Sequence, residues 1–328
     1  ARATAAADVG VVTVLEAVEV EREAMAPGEP MPPHQPVPKD MFFEDYGVNP
    51  FNDTEDDHLS TFALDVETGS YTIARRYVQD GTLPPEDAVR VEEFVNYFDQ
   101  GYEFPPAGEA FAIHLDGPPF PFAETDRYRM MRVGIQGYAV PPEERKDLSL
   151  TFVIDVSGSM SRENRLGLVK RSLELLVEQL GPGDSVGIVV YGSDARVVLE
   201  PTSGENQATI LEAIHRLQSE GSTNAEAGLR LGYERANAAW EPGGINRVIL
   251  CSDGVANVGR TGPDSIWEVI SGYASEGITM TSIGFGMGNY NDVLMEQLAD
   301  NGDGFYAYVD TLAEAERLFV HGLTGTLQ

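Results

Sequence analysis

The sequence predicts an α/β fold: an open, mostly parallel, doubly wound sheet with helices on both faces and one antiparallel edge strand, preceded by a smaller α+β region. Two observations carry this expectation. From Leu148 onward, apolar β-prone runs alternate with segments of helical spacing, the pattern that builds a parallel sheet through helical crossovers. Arg196–Leu199 follows Ser185–Tyr191 too closely for such a crossover, so that pair is expected to be antiparallel and at the sheet edge.

Taken in order, Leu148–Asp155 is a run of apolar and β-branched residues that fits a buried parallel strand. Helix Arg165–Leu180 follows, with Leu168, Leu175, Leu176 and Leu180 on its buried side, and Gly181-Pro-Gly-Asp184 turns the chain into strand Ser185–Tyr191. Asn206–Leu217 reads as a helix with Ile210, Leu211, Ile214 and Leu217 inward, Asn224–Ala239 as a second, and Arg247–Ser252 as a strand. Helix Asp264–Glu276, strand Thr279–Phe285, helix Tyr290–Asp300, strand Phe305–Val309 and the closing helix Thr311–Leu323 complete a Rossmann-like alternation.

The upstream part is less regular. Val9–Glu21 alternates, with Val12, Val14, Val18 and Val20 on one face, and reads as a strand; a helix over Leu15–Ala24 is the other option. Pro27–Pro38 carries six prolines and reads as an extended linker. Leu59–Val66 is strand-like, Ser70–Asp80 is a helix capped by Thr68 or Ser70 and closed by Gly81, and Pro84–Phe98 is another, with Pro85 in its first turn and Val91, Phe94, Val95 and Phe98 at helical spacing. Ala110–Leu115 and Tyr128–Gln136 are strands joined through the loop Gly117–Pro121, and with the N-terminal strand they could form a small antiparallel sheet. Asp53, Glu55, Asp56 and Asp57 lack the glycine and closing glutamate of an EF-hand loop and read as a solvated capping turn. Arg75 and Arg76 are expected to pair with those carboxylates or with Glu92 and Glu93.

With 328 residues the chain has room for a large domain and a smaller one, and 42% apolar residues exclude wholesale disorder. The formal charge is −31, and the only lysines are Lys39, Lys146 and Lys170. Such a surface repels nucleic acid and anionic membranes and attracts divalent cations. The single Cys251 lies in the apolar run from Val248, reads as buried core, and rules out an intrachain disulfide framework or a thiolate metal site. No stretch reaches transmembrane length. The chain starts Ala-Arg-Ala and ends after Gly325–Gln328 without a stop signal, which suggests a processed product of a longer precursor.

In open parallel sheets, ligands bind beyond the carboxyl ends of the strands, where the strand order reverses. Just past the first strand of the alternation stand Asp155, Ser157 and Ser159, with Gly158 letting the backbone turn closely. Asp253 follows the strand ending at Ser252, and Thr223 sits in Gly-Ser-Thr-Asn224 before a helix. Alone, Asp155-Val-Ser-Gly-Ser159 is equally an ordinary strand-to-helix turn. Two carboxylates and three hydroxyls from three loops at one sheet edge are hard oxygen donors, suited to Mg²⁺, Mn²⁺ or Ca²⁺ and not to Zn²⁺.

With Asp-x-Ser-x-Ser at 155–159, Thr223 and the strand-end Ser-Asp-Gly at 252–254, the chain resembles the von Willebrand factor type A (VWA) domain family and its metal-ion-dependent adhesion site, over about Asp147–Leu323. The motifs Tyr-Gly-Val-Asn-Pro-Phe, Asp-Asp-x-Leu-Ser-Thr-Phe-Ala-Leu-Asp-Val and Val-Glu-Glu-Phe-Val-Asn-Tyr-Phe within Phe43–Tyr102 are similar to the N-terminal extension of a bacterial subgroup. The resemblance divides the chain into an N-terminal strand and Pro-rich linker (1–40), an α+β region (41–146), the VWA domain (147–324) and the start of a continuation (325–328). It implies that Ser157, Ser159 and Thr223 ligate a Mg²⁺-type cation directly, with Asp155 and Asp253 acting through water or in alternation with it. It further implies a non-enzymatic adhesion module whose cation captures an Asp or Glu carboxylate of a partner protein. Members of the subgroup are commonly exported, often as lipoproteins, which points to the cell surface or the secreted fraction.

Two other classes are weighed. A metal-dependent hydrolase needs a general base, and His34, His58, His114, His215 and His321 all fall outside the three site loops. Gly284-Phe-Gly-Met-Gly288 lacks a phosphate-gripping lysine and reads as a loop supporting the site end of the sheet. A structural subunit of a surface assembly could donate the N-terminal strand to a neighbour's sheet; folding back within the same chain is the preferred reading of that strand.

Overall fold

The computed structural model describes residues 43–44, 47, 51, 53–59, 61 and 66–322, except 123–124, 126–127, 142–143, 163–164, 255–262 and 287–289. The expected strand Val9–Glu21, the linker Pro27–Pro38, most of Leu59–Val66 and the tail 325–328 lie outside the described residues.

Helix α1 is Gly69–Gln79, with Asp80 as its C-cap and Gly81 in the left-handed conformation (φ +78°). Thr68 holds the N-cap position without a capping bond, and its Oγ1 accepts from Arg317 Nη2 at 2.9 Å. The single helix expected over Pro84–Phe98 is two elements. A 3₁₀ turn at Glu86–Ala88 is followed by an extended Arg90 (φ −100°, ψ 114°), and only then by α2, Val91–Tyr97. The cause is tertiary. Ser70 Oγ donates to Ala88 O at 2.6 Å and accepts the Arg90 N–H at 2.8 Å. The Arg90 guanidinium meanwhile reaches Glu93, Asp292 and Glu296. Within α2 the buried residue is Glu93, while Val91, Val95 and the C-cap Phe98 are exposed. Arg75 pairs with Asp310 and Glu314, and Arg76 with Asp80, rather than with the carboxylates expected from sequence. Asp53–Asp57 is an exposed turn closed by Asp56 and Asp57 N–H groups on Asp53 O.

Strands β1 (Phe111–Asp116) and β2 (Arg132–Gly137) form a two-stranded antiparallel sheet with Ile113 opposite Ile135. The main sheet is built from β3 (Leu148–Asp155), β4 (Ser185–Tyr191), β5 (Ala195–Ser203), β6 (Ile245–Ser252), β7 (Ile278–Phe285) and β8 (Phe305–Val309). Its order is β5-β4-β3-β6-β7-β8, with β5 antiparallel to β4 at one edge and every other pair parallel. The edge strand is longer than the expected Arg196–Leu199 and carries register shifts against Val186–Val189.

Alternation along β3 divides the core. Leu148, Leu150, Phe152 and Ile154 face α3 (Arg165–Val177), α4 (Gln207–His215) and the C-terminal helix, packing on Leu173, Leu176 and Ile214. Val153, with Val248 and Leu250 of β6, faces α5 (Ala225–Ala238) and α6 (Pro263–Ser275). Ile73 and Tyr77 of α1 and Met295 and Leu298 of α7 (Asp292–Asn301) join that second layer. Tyr290, expected inside α7, precedes it and donates its hydroxyl to Tyr306 Oη at 2.7 Å; Asn291 caps the helix. The closing helix is a short α8 (Leu312–Glu316) that widens into a π turn at Arg317–His321. Every residue of β3 is buried, Ser149, Thr151 and Asp155 included, as expected of a central strand covered on both faces.

Candidate metal centre

The adjacent strands β3 and β6 send their following helices, α3 and α6, to opposite faces of the sheet. The crevice at their carboxyl ends is therefore the topological switch point, where ligands bind in such sheets.

Asp155 closes β3 and is fully buried. Its Oδ1 accepts the Ser157 N–H at 2.8 Å, and its Oδ2 accepts the Ser252 hydroxyl at 3.0 Å. Ser159 Oγ donates to Asp253 Oδ1 at 3.0 Å and lies 3.0 Å from Ser157 Oγ. A hydroxyl has one proton, so with Ser159 donating to Asp253, Ser157 is the donor to Ser159. The second Asp253 oxygen accepts from Arg165 Nη1 in a buried ion pair.

The loop carrying Thr223 is brought to this set through its backbone. Gly158 N–H donates to Gly221 O at 3.2 Å, and Glu220 N–H donates to Val156 O at 2.5 Å. Gly221 is left-handed (φ +73°), and a Cβ there would stand 2.8 Å from Ser193 N, so glycine is required both by conformation and by space. Thr223 follows, half-buried, just before Asn224, whose side chain caps α5 by accepting the Ala227 N–H at 3.3 Å. Asp155, Ser157, Ser159 and Asp253 thus form one hydrogen-bonded set, and Thr223 joins it by way of its loop.

Burial pushes the Asp155 carboxyl up to about 6. Hydrogen bonds from Ser157 and Ser252 act against the rise, and the nearby Asp253 charge adds to it. A cation placed beside Asp155 would have to compete with that proton near neutral pH. The donors are all hard oxygens, which fits a Mg²⁺-class ion. Among the described residues no group of three or more His, Cys, Asp or Glu side chains is placed to hold a metal, so hydroxyls have to complete any donor set here.

Residues 37–131 match the family model described as von Willebrand factor, and residues 150–255 match the one described as von Willebrand factor type A domain. The chain belongs to the von Willebrand factor type A family. The Escherichia coli (strain K12) protein YfbK is 41% identical over 283 residues, covering 84% of this chain and 49% of YfbK. Inter-alpha-trypsin inhibitor heavy chain H3 of Homo sapiens is 29% identical over 178 residues, covering 52% of this chain and 19% of that protein. The chain thus spans about half of one relative and a fifth of the other. Among solved structures, a von Willebrand factor type A protein from Catenulispora acidiphila has a TM-score of 0.48 at 18% identity, covering 70% of this chain and 52% of that one. BatB from Bacteroides thetaiotaomicron has a TM-score of 0.45 at 21% identity, covering 52% of this chain and 95% of that one.

Three residues of this VWA sheet edge do not follow from the sequence motif. Ser252 holds Asp155, Arg165 holds Asp253, and Gly286 (φ +81°) lies against Arg165. One signal pointed to Arg165: a basic residue at the first position of a helix opposes the helix dipole and calls for a specific acidic partner. His215 is exposed beside Glu174, and His114 stacks on Tyr102 with ring centroids 4.9 Å apart. Among the described residues no helix is long and apolar enough to cross a membrane.

Proposed function

We propose that the chain is a cation-dependent docking module: Asp155, Ser157, Ser159, Thr223 and Asp253 hold a Mg²⁺-type cation, with Mn²⁺ or Ca²⁺ as alternatives, and the site binds an Asp or Glu carboxylate of a partner protein. VWA domains form a protein-interaction and adhesion family, and the finer reading rests on one observation. The oxygens of Ser157, Ser159 and Asp253 form a continuous chain beside the buried Asp155 carboxylate at the switch point of the sheet.

When bound, the cation supplies a local positive centre able to attract an anionic oxygen despite the formal −31 charge of the chain. The protein's own groups do the rest. Ser252 and the Ser157 N–H fix both Asp155 oxygens, so the carboxylate keeps its orientation without an ion. Ser159 and Arg165 do the same for Asp253. A prearranged donor set spends less conformational entropy on binding.

The reading is of a binding module, not an enzyme, and of a protein that works outside the cytoplasm, at the cell surface or in the secreted fraction. Its site has hydroxyls without a histidine partner in the hydrogen-bonded set, which argues against nucleophilic catalysis. The test is capture of proteins from the native cell surface by the immobilised chain, with and without EDTA, with Asp155→Ala as control. The reading expects capture that EDTA abolishes, Mg²⁺ restores and Asp155→Ala lacks. Capture insensitive to both EDTA and the substitution would sink it.

A further inference from the structure

Arg165 is a built-in part of this sheet edge. It opens α3 and is only 6% exposed, and its Nη1 donates to Asp253 Oδ2. On its other side, a Cβ added to Gly286 would stand 2.5 Å from Arg165 Nε, 2.6 Å from Cγ and 2.7 Å from Cδ. The backbone after β7 therefore lies directly on the guanidinium and its stem, and only glycine leaves that space. With the ion pair on one side and Gly286 on the other, the side chain is held in place.

The consequence falls on Asp253. One of its oxygens accepts from Arg165 and the other from Ser159, which lies within the proposed donor set. Resting on the metal reading above, we propose that Arg165 decides which divalent cation the site prefers, by keeping Asp253 from offering both oxygens to one ion. Ca²⁺ gathers about 6–8 oxygens at roughly 2.3–2.6 Å and readily takes carboxylates bidentately. Mg²⁺ takes six at about 2.0–2.1 Å in strict octahedral geometry, and keeps several waters. Holding Oδ2 on a guanidinium removes a Ca²⁺ ligand and costs Mg²⁺ nothing. The arginine also cancels one of the two carboxylate charges, so the donor set neutralises a divalent ion incompletely and leaves it charge with which to attract an anionic partner. Arg165 is in this sense a positioning and selectivity residue. It acts on the ion through Asp253.

The test is isothermal titration of the whole chain with Mg²⁺ and, separately, with Ca²⁺, for the unaltered protein, Arg165→Met and Gly286→Ala, each checked for folding by thermal melting. The unaltered chain is expected to bind Mg²⁺ more tightly than Ca²⁺. In Arg165→Met the affinity ratio should move toward Ca²⁺ by about tenfold or more. Gly286→Ala displaces the same guanidinium without removing its charge and should move the ratio in the same direction by a smaller factor, so the test survives if the methionine variant does not fold. An unchanged ratio in the folded variants overturns the proposal. Equal loss of both cations does so too, since it would mean that Arg165 only keeps Asp253 in place. An unaltered chain that binds neither cation is a different result, and sinks the metal reading itself.

Discussion

Ser159 donates its hydroxyl to Asp253 Oδ1 at 3.0 Å, joining two loops separated by 94 positions in the chain. The same carboxylate neutralises the buried Arg165. Asp253 is therefore structural as well as a candidate ligand, and its removal should show in the fold. Asp253→Ala strips the Asp253 charge from a buried guanidinium, a change that costs roughly 3–5 kcal/mol in such pairs. Urea denaturation in EDTA should show that loss, with Asp253→Asn losing less. A destabilisation below about 1 kcal/mol for the alanine variant would mean that the pair contributes little to the fold.

Thr223→Ala should behave differently. The residue is half-buried at a loop end, outside both core clusters, so its stability change should stay within about 0.5 kcal/mol. Loss of a hydroxyl donor should still weaken Mg²⁺ binding, by about tenfold or more in calorimetry. Unchanged affinity would remove Thr223 from the donor set.

The pH dependence follows from Asp155. Burial raises its carboxyl from 3.8 to about 6, so folding takes up a proton between those values. The metal-free protein consequently gains stability from this group as pH falls from 6 toward 4, and above 6 it carries the full cost of the buried charge. A cation that needs the carboxylate must displace that proton. Mg²⁺ affinity should therefore be level above about pH 7 and fall by about tenfold per unit below 6. Titrations at pH 7.5, 6.0 and 5.0 check this, and a flat profile would separate Asp155 from the ion.

What the sequence revealed, and what it hid, divides by range. Asp155, Ser157 and Ser159 are legible together because two-residue spacing at a strand end is a local pattern, and Asp253 because it ends a second apolar run. Arg165 shows in the sequence only as the start of a helix, since its partner lies 88 positions away. The break at Arg90 was invisible for the same reason. Val91, Phe94 and Val95 keep helical spacing, yet Ser70 and the distant carboxylates of Asp292 and Glu296, together with the nearby Glu93, draw Arg90 out of the helix. The mostly parallel sheet and its antiparallel edge are legible in the alternation and in the short link between β4 and β5, whereas the strand order β5-β4-β3-β6-β7-β8 comes from the structure.

Arg90 gives the sharpest structural test. Its guanidinium meets Glu93 and Asp292, both buried, and the half-buried Glu296, and so ties the segment before α2 to α7. Burial raises the Asp292 carboxyl, and the Arg90 charge is the main influence pulling it back. Arg90→Met leaves these carboxylates without that charge. They then remain ionised at a cost or take up protons, so the folded state binds protons more readily than the unfolded chain does. Stability of the variant should fall as pH rises. At pH 7.5 the loss relative to the unaltered protein should reach roughly 3–5 kcal/mol, and at pH 5 the gap should narrow as the carboxyls protonate. Urea denaturation at both values measures it. A gap that stays constant with pH would show that Arg90 acts through packing of its stem, with its charge contributing little.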